Sequence, residues 1–213
     1  IGKWHLGEDP TTQGFQRNVA GGRRGHPKSY FSPYLNDDII DGPKGEYLVD
    51  RLAGEVVDAM AASEAADEDP WFIMWCPYAV HTPIQAPDAD VKAFKERFKE
   101  ATNREAKYAA MVERTDRAVG TVLEALKANE EDANTIVILL SDHGGHGMLT
   151  TQAPYRGSKG MLYEGGVRTP LYIRMPSVAP VDIDTPVMGH DLFPTIIECV
   201  GADASVEHDG VSL

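Results

Sequence analysis

The sequence predicts an α/β domain whose sheet is covered on both faces. Three observations carry this. Continuous apolar runs stand at 71–76, 135–140 and 170–175, and the first ends directly at Pro77. Stretches with apolar residues at helical spacing alternate with those runs. The runs lack the polar alternation of a half-solvated strand, so each reads as buried on both sides, with helices as the covering layers.

The elements follow in order. Residues 1–45 are rich in Gly, Pro, Asn and aromatics with little period, and read as long irregular loops, which in a compact domain are often functional. From Glu46 to about Ala62, Leu48, Leu52, Val56 and Met60 recur as a helical stripe with Val49, Ala53 and Val57 beside them. Trp71-Phe72-Ile73-Met74-Trp75-Cys76 reads as a buried strand. Residues 88–99 form a short charged helix opening at Pro87-Asp88. Residues 104–128 carry Tyr108, Met111, Val112, Thr115, Val119, Val122, Leu123 and Leu126 at helical spacing, the longest helix expected. Thr135-Ile136-Val137-Ile138-Leu139-Leu140 is the clearest strand, and Pro170-Leu171-Tyr172-Ile173-Arg174-Met175 is a third. Asp191 to Val200 reads as a helix with Pro194 in its first turn and Gly201 as its stop. There is no internal repeat and no low-complexity segment.

Composition narrows the function. Of 213 residues, 42% are hydrophobic, enough for a sizeable core, and the mixed-sign 25% of charged residues argue against disorder. A formal net charge of −13 excludes a broad nucleic-acid footprint. Such a chain handles an anion only by focusing Lys, Arg, His or a cation locally. Cys76 and Cys199 make no disulfide framework and read as two buried thiols. No apolar run reaches the length of a membrane span. No signal peptide or initiator Met is visible. The first residues, Ile1-Gly2-Lys3-Trp4-His5, read as a segment already under way, and Asp209-Gly210-Val211-Ser212-Leu213 stops abruptly. A domain cut at both ends is the expectation.

Four segments carry chemistry. Ser141-Asp142-His143-Gly144-Gly145-His146-Gly147 follows the strand ending at Leu140. In α/β folds ligands gather at the carboxyl ends of strands, and a carboxylate followed by Gly suits a metal or anion site. Asp and Gly would also serve there as turn residues alone. Ala79-Val80-His81-Thr82-Pro83 places a histidine past another strand, on the same sheet edge. Alone, His81 is a satisfied structural histidine; beside Asp142 it gains weight. In Gly2-Lys3-Trp4-His5-Leu6-Gly7, an extended backbone points Lys3 and His5 the same way, where they could grip a tetrahedral anion. The alternative is a solvated basic turn. The loop 156–170 is Gly-rich with Lys159 embedded but lacks the order of a Walker loop. Glu164 and Arg168, four apart, are expected to pair with each other. Asp37-Asp38, in a loop with no strand before it, and Cys76, with no cation at close spacing, are set aside as decoys.

In this order the motifs resemble the sulfatase family, in particular its arylsulfatase branch. The matching segments are Gly2-Lys3-Trp4-His5-Leu6-Gly7, His81-Thr82-Pro83, Ser141-Asp142-His143-Gly144, Lys159-Gly160 with Glu164-Gly165-Gly166-Val167-Arg168-Thr169-Pro170, and Asp191-Leu192-Phe193-Pro194-Thr195. Ser29-Tyr30-Phe31-Ser32-Pro33-Tyr34 and the segment 45–52 are similar to bacterial members. The resemblance implies an alkaline-phosphatase-like fold, with a mixed, mostly parallel sheet flanked by helices and here incomplete. It implies hydrolysis of a sulfate monoester, small-molecule or glycan, in a periplasmic or secreted enzyme. The family nucleophile is a formylglycine made in a Cys/Ser-x-Pro-x-Arg motif, which residues 1–213 do not contain. That motif and an Asp-Asp metal pair are expected upstream, so the chain alone is expected to be inactive.

By position, Asp142 resembles a ligand of the family's calcium ion. His143 stands where Asn is commoner, and imidazole suits a hard cation poorly. Lys3 and Lys159 resemble the lysines that contact sulfate oxygens. His5 resembles the histidine that helps release sulfate from the formylglycine hydrate, and His81 the one near the leaving oxygen. The competing expectations are a phosphate or phosphonate ester hydrolase of the same superfamily and an inactive binding homologue. An uncovered sheet edge is expected to promote self-association.

Overall fold

The structure, a computed structural model, describes residues 1–65, 70–203 and 205–213. The chain divides into two compact units, Ile1–Pro176 and Ser177–Leu213.

The first unit is built around three helices, α1 (Leu48–Ala65), α2 (Asp88–Arg97) and α3 (Asn103–Ala128), with α3 packed on both of the others. The predicted stripe is the buried face of α1: Leu48, Leu52, Val56 and Met60 are each no more than 3% exposed. Ala106, Ala110, Met111, Ala118 and Leu126 are buried along α3. A reciprocal capping box starts α3, in which the Thr102 hydroxyl accepts from the Glu105 N–H and the Glu105 carboxylate accepts from the Thr102 N–H. Arg114 on α3 bonds Asp50 of α1 and Asp90 of α2, tying the three helices together on their polar side.

The irregular residues 1–45 are pinned to this frame by tyrosines. Burying a phenol without a partner is costly, so each buried hydroxyl finds an acceptor. Tyr30 donates to the His81 carbonyl at 2.9 Å, Tyr78 to the Ala20 carbonyl at 2.7 Å and Tyr47 to the Gln85 carbonyl at 2.8 Å. Burial pushes the Tyr30 and Tyr47 phenols far up, and that of Tyr78 to about 12, so all three remain neutral donors at any physiological pH.

The sheet corrects the expectation. Among the described residues it has two strands, β1 (Val137–Leu140) and β2 (Leu171–Arg174), which pair antiparallel with Val137 opposite Arg174 and Leu140 opposite Leu171. The apolar run 71–76 is not a strand of this sheet. It pairs with the first residues instead, through Cys76 N–H to Ile1 O (2.9 Å), Lys3 N–H to Cys76 O (2.7 Å) and a single parallel bridge from Gly2 to Cys76. Its burial alternates: Trp71, Ile73 and Trp75 pack on the core while Phe72 and Met74 are exposed. The sheet is likewise not covered on both faces among these residues, with Leu139, Leu140 and Tyr172 between 39% and 67% exposed. An apolar run fixes strand character, but pairing direction and the number of covered faces depend on which distant backbone comes alongside. The short helix α4 (Glu164–Val167) precedes β2, and Glu164 and Arg168 pair as expected, at 3.4 Å.

In the second unit, a single 3-10 turn, Gly189–Asp191, leads into α5 (Leu192–Val200). Pro194 lies in the first turn of α5 and Gly201 ends it at φ 65°. Asp191 is buried as a local hub, its carboxylate accepting from Met188 N–H (2.7 Å) and Val211 N–H (3.0 Å). Both cysteines are free, but only Cys76 is partly buried; Cys199 is exposed, against expectation, because it falls on the outer side of α5.

Candidate active site

Four separate segments of the first unit supply the chemistry-bearing side chains. His81 sits in the loop after the extended run 71–76, with its carbonyl held by Tyr30. Its Nδ1 lies 3.1 Å from the Thr82 carbonyl and 3.1 Å from the Thr82 hydroxyl. A proton on Nδ1 satisfies the carbonyl and leaves Nε2 free to take or hold a second proton. Burial lowers the His81 pKa most; the Thr82 bond opposes it, and the nearby Lys159, Lys3 and His26 each add a smaller downward pull. Lys3 and Lys159 therefore lie within electrostatic reach of His81, although each stands 78 positions from it in sequence.

Lys3 reaches this place because residues 1–3 lie beside Met74–Cys76. It also lies near the Cys76 thiol, whose pKa is raised mainly by burial and also by Asp142, with Lys3 opposing. Lys3, Cys76 and Asp142 thus share one neighbourhood, and the raised thiol pKa agrees with setting Cys76 aside as a nucleophile.

The Asp142 loop and the Lys159 loop are pressed together. Gly144 N–H bonds Gly166 O at 2.9 Å and Lys159 N–H bonds Gly145 O at 3.0 Å. A Cβ on Gly144 would lie 1.9 Å from Gly165 O, so only glycine lets the two backbones approach this closely. The Gly-rich loop positions its lysine by backbone contact rather than by wrapping an anion itself.

His5 departs from the alternation argument. Its φ is 60°, so the chain is not extended through it, and it does not follow Lys3 to the same face on that ground. Its N–H bonds Gly22 O at 2.9 Å, and its ring covers Gly25, where a Cβ would lie 2.6 Å from Cε1. The next residue, His26, stacks on His81 with centroids 5.9 Å apart. His5 therefore approaches His81 through the loop 22–26. His26 itself carried no signal in the sequence, where it is one polar residue in a Gly/Pro-rich loop.

The metal expectation fits these residues only in part. Asp142 is exposed and offers a carboxylate. The His143 ring closes on its own loop, with Nε2 3.2 Å from Asp142 Oδ2 and Nδ1 2.9 Å from Gly144 O. Among the described residues no three His, Cys, Asp or Glu side chains gather as a metal site. Calcium takes about six to eight oxygen ligands, so Asp142 and His143 do not form such a site by themselves.

Comparison with known proteins identifies the family. The family model described as Sulfatase matches residues 1–202. A sulfatase of Formosa agariphila is 38% identical over 181 residues, covering 78% of this chain and 32% of that protein. Arylsulfatase J of Mus musculus is 29% identical over 237 residues, covering 100% of this chain and 38% of the relative. The chain thus spans well under half the length of these two relatives. Among solved structures, Ps i-CgsB in complex with k-i-k-neocarrahexaose superposes with a TM-score of 0.79 at 28% identity, over 99% of this chain and 52% of that one. With the matched region running through the His81, Asp142 and Lys159 loops alike, the chain belongs to the sulfatase family.

Proposed function

We propose that the chain carries the sulfate-holding and proton-donating side of a site that hydrolyses sulfate monoesters. The observation that carries this reading is His81, with one ring nitrogen anchored and the ring set in the field of Lys3, Lys159 and His26. A sulfate ester presents negative oxygens that repel a nucleophile, and two ammonium groups offset that charge more strongly away from water. As the S–O bond to the leaving group breaks, the electron pair goes to the leaving oxygen, and a proton held on His81 Nε2 passes to it. The family resemblance assigns His5, which lies over Gly25, to the release of sulfate after transfer. The attacking oxygen is assigned, through the family resemblance, to a formylglycine from a motif that residues 1–213 do not contain.

A glycan sulfate is the favoured substrate class, since Ps i-CgsB was solved with k-i-k-neocarrahexaose, a carrageenan oligosaccharide. A periplasmic or extracellular address is part of the same reading, because sulfated polysaccharides are met outside the cytoplasm.

The test is His81→Ala in the full-length protein, assayed on a nitrophenyl sulfate and on a sugar sulfate. Loss of a general acid lowers kcat by about 10²–10⁴-fold where the leaving group needs the proton. The loss should be much larger on the sugar sulfate, whose alkoxide is the poorer leaving group. Equal losses on the two substrates would refute the role of His81. Faster turnover of phosphate monoesters than of sulfates would overturn the substrate class.

A further inference from the structure

Beside the catalytic histidine the surface opens into a cleft of about 420 Å³ lined by Thr82, Ile84, Asn103, Arg104 and Lys107. Two elements form it: the segment directly after His81 and the start of α3. Position 107 is four from 103 and three from 104, so Lys107 is a helix-face neighbour of both Asn103 and Arg104. The same stretch of α3 also touches the Asp142 loop: the Tyr108 hydroxyl lies against the His146 backbone, and the Cβ direction of Gly145 points at it from 3.5 Å. One helix thus lines the cleft and touches the Asp142 loop.

Its lining carries two basic side chains and no acid. With a net charge of −13, most arginines are taken up by carboxylates, as in Arg17–Glu55, Arg51–Glu55, Arg97–Glu113 and Arg114–Asp50. Arg104 and Lys107 have no carboxylate within 4.0 Å among the described residues, and both are exposed. Glu105, the acid between them in sequence, is committed to the Thr102 cap. Asn103 accepts from Lys95 Nζ through its Oδ1 at 2.7 Å, which leaves its amide N–H₂ as a donor. The cleft thus offers a guanidinium, an ammonium and an amide, all donors, in a space that Thr82, the residue after His81, also lines.

We propose that this cleft is a subsite for a second sulfate group of the substrate, carried on a sugar next to the one that is hydrolysed. It makes the enzyme selective for multiply sulfated glycans over isolated sulfate esters. The guanidinium supplies two parallel N–H donors and Lys107 a point charge, the combination that suits a tetrahedral oxyanion. This inference rests on the sulfatase reading for its substrate, but not for its binding test.

The experiment compares the full-length protein with Arg104→Gln/Lys107→Gln on two substrates, a multiply sulfated carrageenan oligosaccharide and nitrophenyl sulfate. The expected result is a rise of about tenfold or more in KM for the oligosaccharide, with little change in its kcat, and a several-fold smaller effect on the mono-anion. Losses of equal size on both substrates, or no loss on the oligosaccharide, overturn the subsite. Oligosaccharide binding by calorimetry separates this from the catalytic reading. If the unsubstituted protein turns over neither substrate, the sulfatase proposal fails. A Kd weakened by the double substitution then still supports the cleft, and an unchanged Kd rejects it. Matching thermal melts of the two proteins show that the fold is intact.

Discussion

Replacing Gly144 with alanine drives a methyl group into the backbone of the facing loop. The new Cβ would stand 1.9 Å from Gly165 O and 2.9 Å from its carbonyl carbon. Ordinary contact begins near 3.4 Å, so the loops must part by about 1.5 Å. That opening breaks the Gly144–Gly166 hydrogen bond of 2.9 Å, one of the two backbone bonds that hold the Asp142 loop against the loop holding Lys159. Overpacking of this kind costs roughly 1–3 kcal/mol and the lost bond about 1 kcal/mol more, so the expected destabilisation is about 2–4 kcal/mol. Activity should suffer beyond stability, because a misplacement of about 1 Å in a catalytic group can cost on the order of 10²-fold. Urea denaturation of the full-length protein reads the first effect, and kcat/KM under conditions where the variant is fully folded reads the second. Gly120→Ala is the internal control: it lies in α3 with nothing within 4 Å of its Cβ, so it should stabilise by about 0.5–1 kcal/mol. A Gly144→Ala protein as stable and as active as the parent would show that the two loops are not in backbone contact, and the site geometry would be wrong.

Two further outcomes follow from the electrostatics. Burial, then Lys159, Lys3 and His26, hold the His81 pKa below its ordinary value, so its proton is available only on the acidic side. The basic limb of kcat/KM should fall below the usual histidine pKa of about 6.5, and Lys159→Met should move it to higher pH. The His81 ring resonances, followed by NMR, give the same titration without turnover, and a limb that stays fixed or moves down on Lys159→Met contradicts the shared neighbourhood. In the second unit, the N–H groups of Val211 and Met188 hold the Asp191 carboxyl below its usual range. A depressed folded-state pKa contributes stability that is present above the unfolded carboxyl value of about 3.9 and is lost as pH falls through the folded one. Hydrogen-exchange protection around α5 should therefore fade in acid below about pH 4, and Asp191→Asn should flatten that dependence; an equally acid-labile α5 in the variant counts against the assignment.

Much of the helical frame was legible in the residues. The stripe Leu48, Leu52, Val56, Met60 appears as the buried face of α1, and Gly201 marks the end of α5. These signals are local, since helix faces and caps are decided within a few residues of themselves. The order of His81, Asp142 and Lys159 along loops was also legible, and with it the family. The sheet was not. The run 71–76 has the composition of a buried strand, yet its backbone lies beside residues 1–3, and β1 pairs antiparallel with β2. Composition does not say which backbone will lie alongside.

The residue types of the site, two lysines, two histidines and a carboxylate after a strand, are properties of the sequence by itself, as is the Pro/Gly-rich character of the loops that carry them. Tertiary structure alone decided their company. Burial, with Lys159, Lys3 and His26 beyond it, lowers the His81 pKa; a tyrosine 51 residues away holds its carbonyl. His5 turns onto Gly25, and His26, unremarked in the sequence, stacks on His81. Arg104 and Lys107 come to line one cleft with Thr82 only because α3 folds beside it. The physical reason is one of range. Propensity and capping act over a turn of chain, whereas the field at a titrating group sums over every charge folded near it, whatever its distance in sequence.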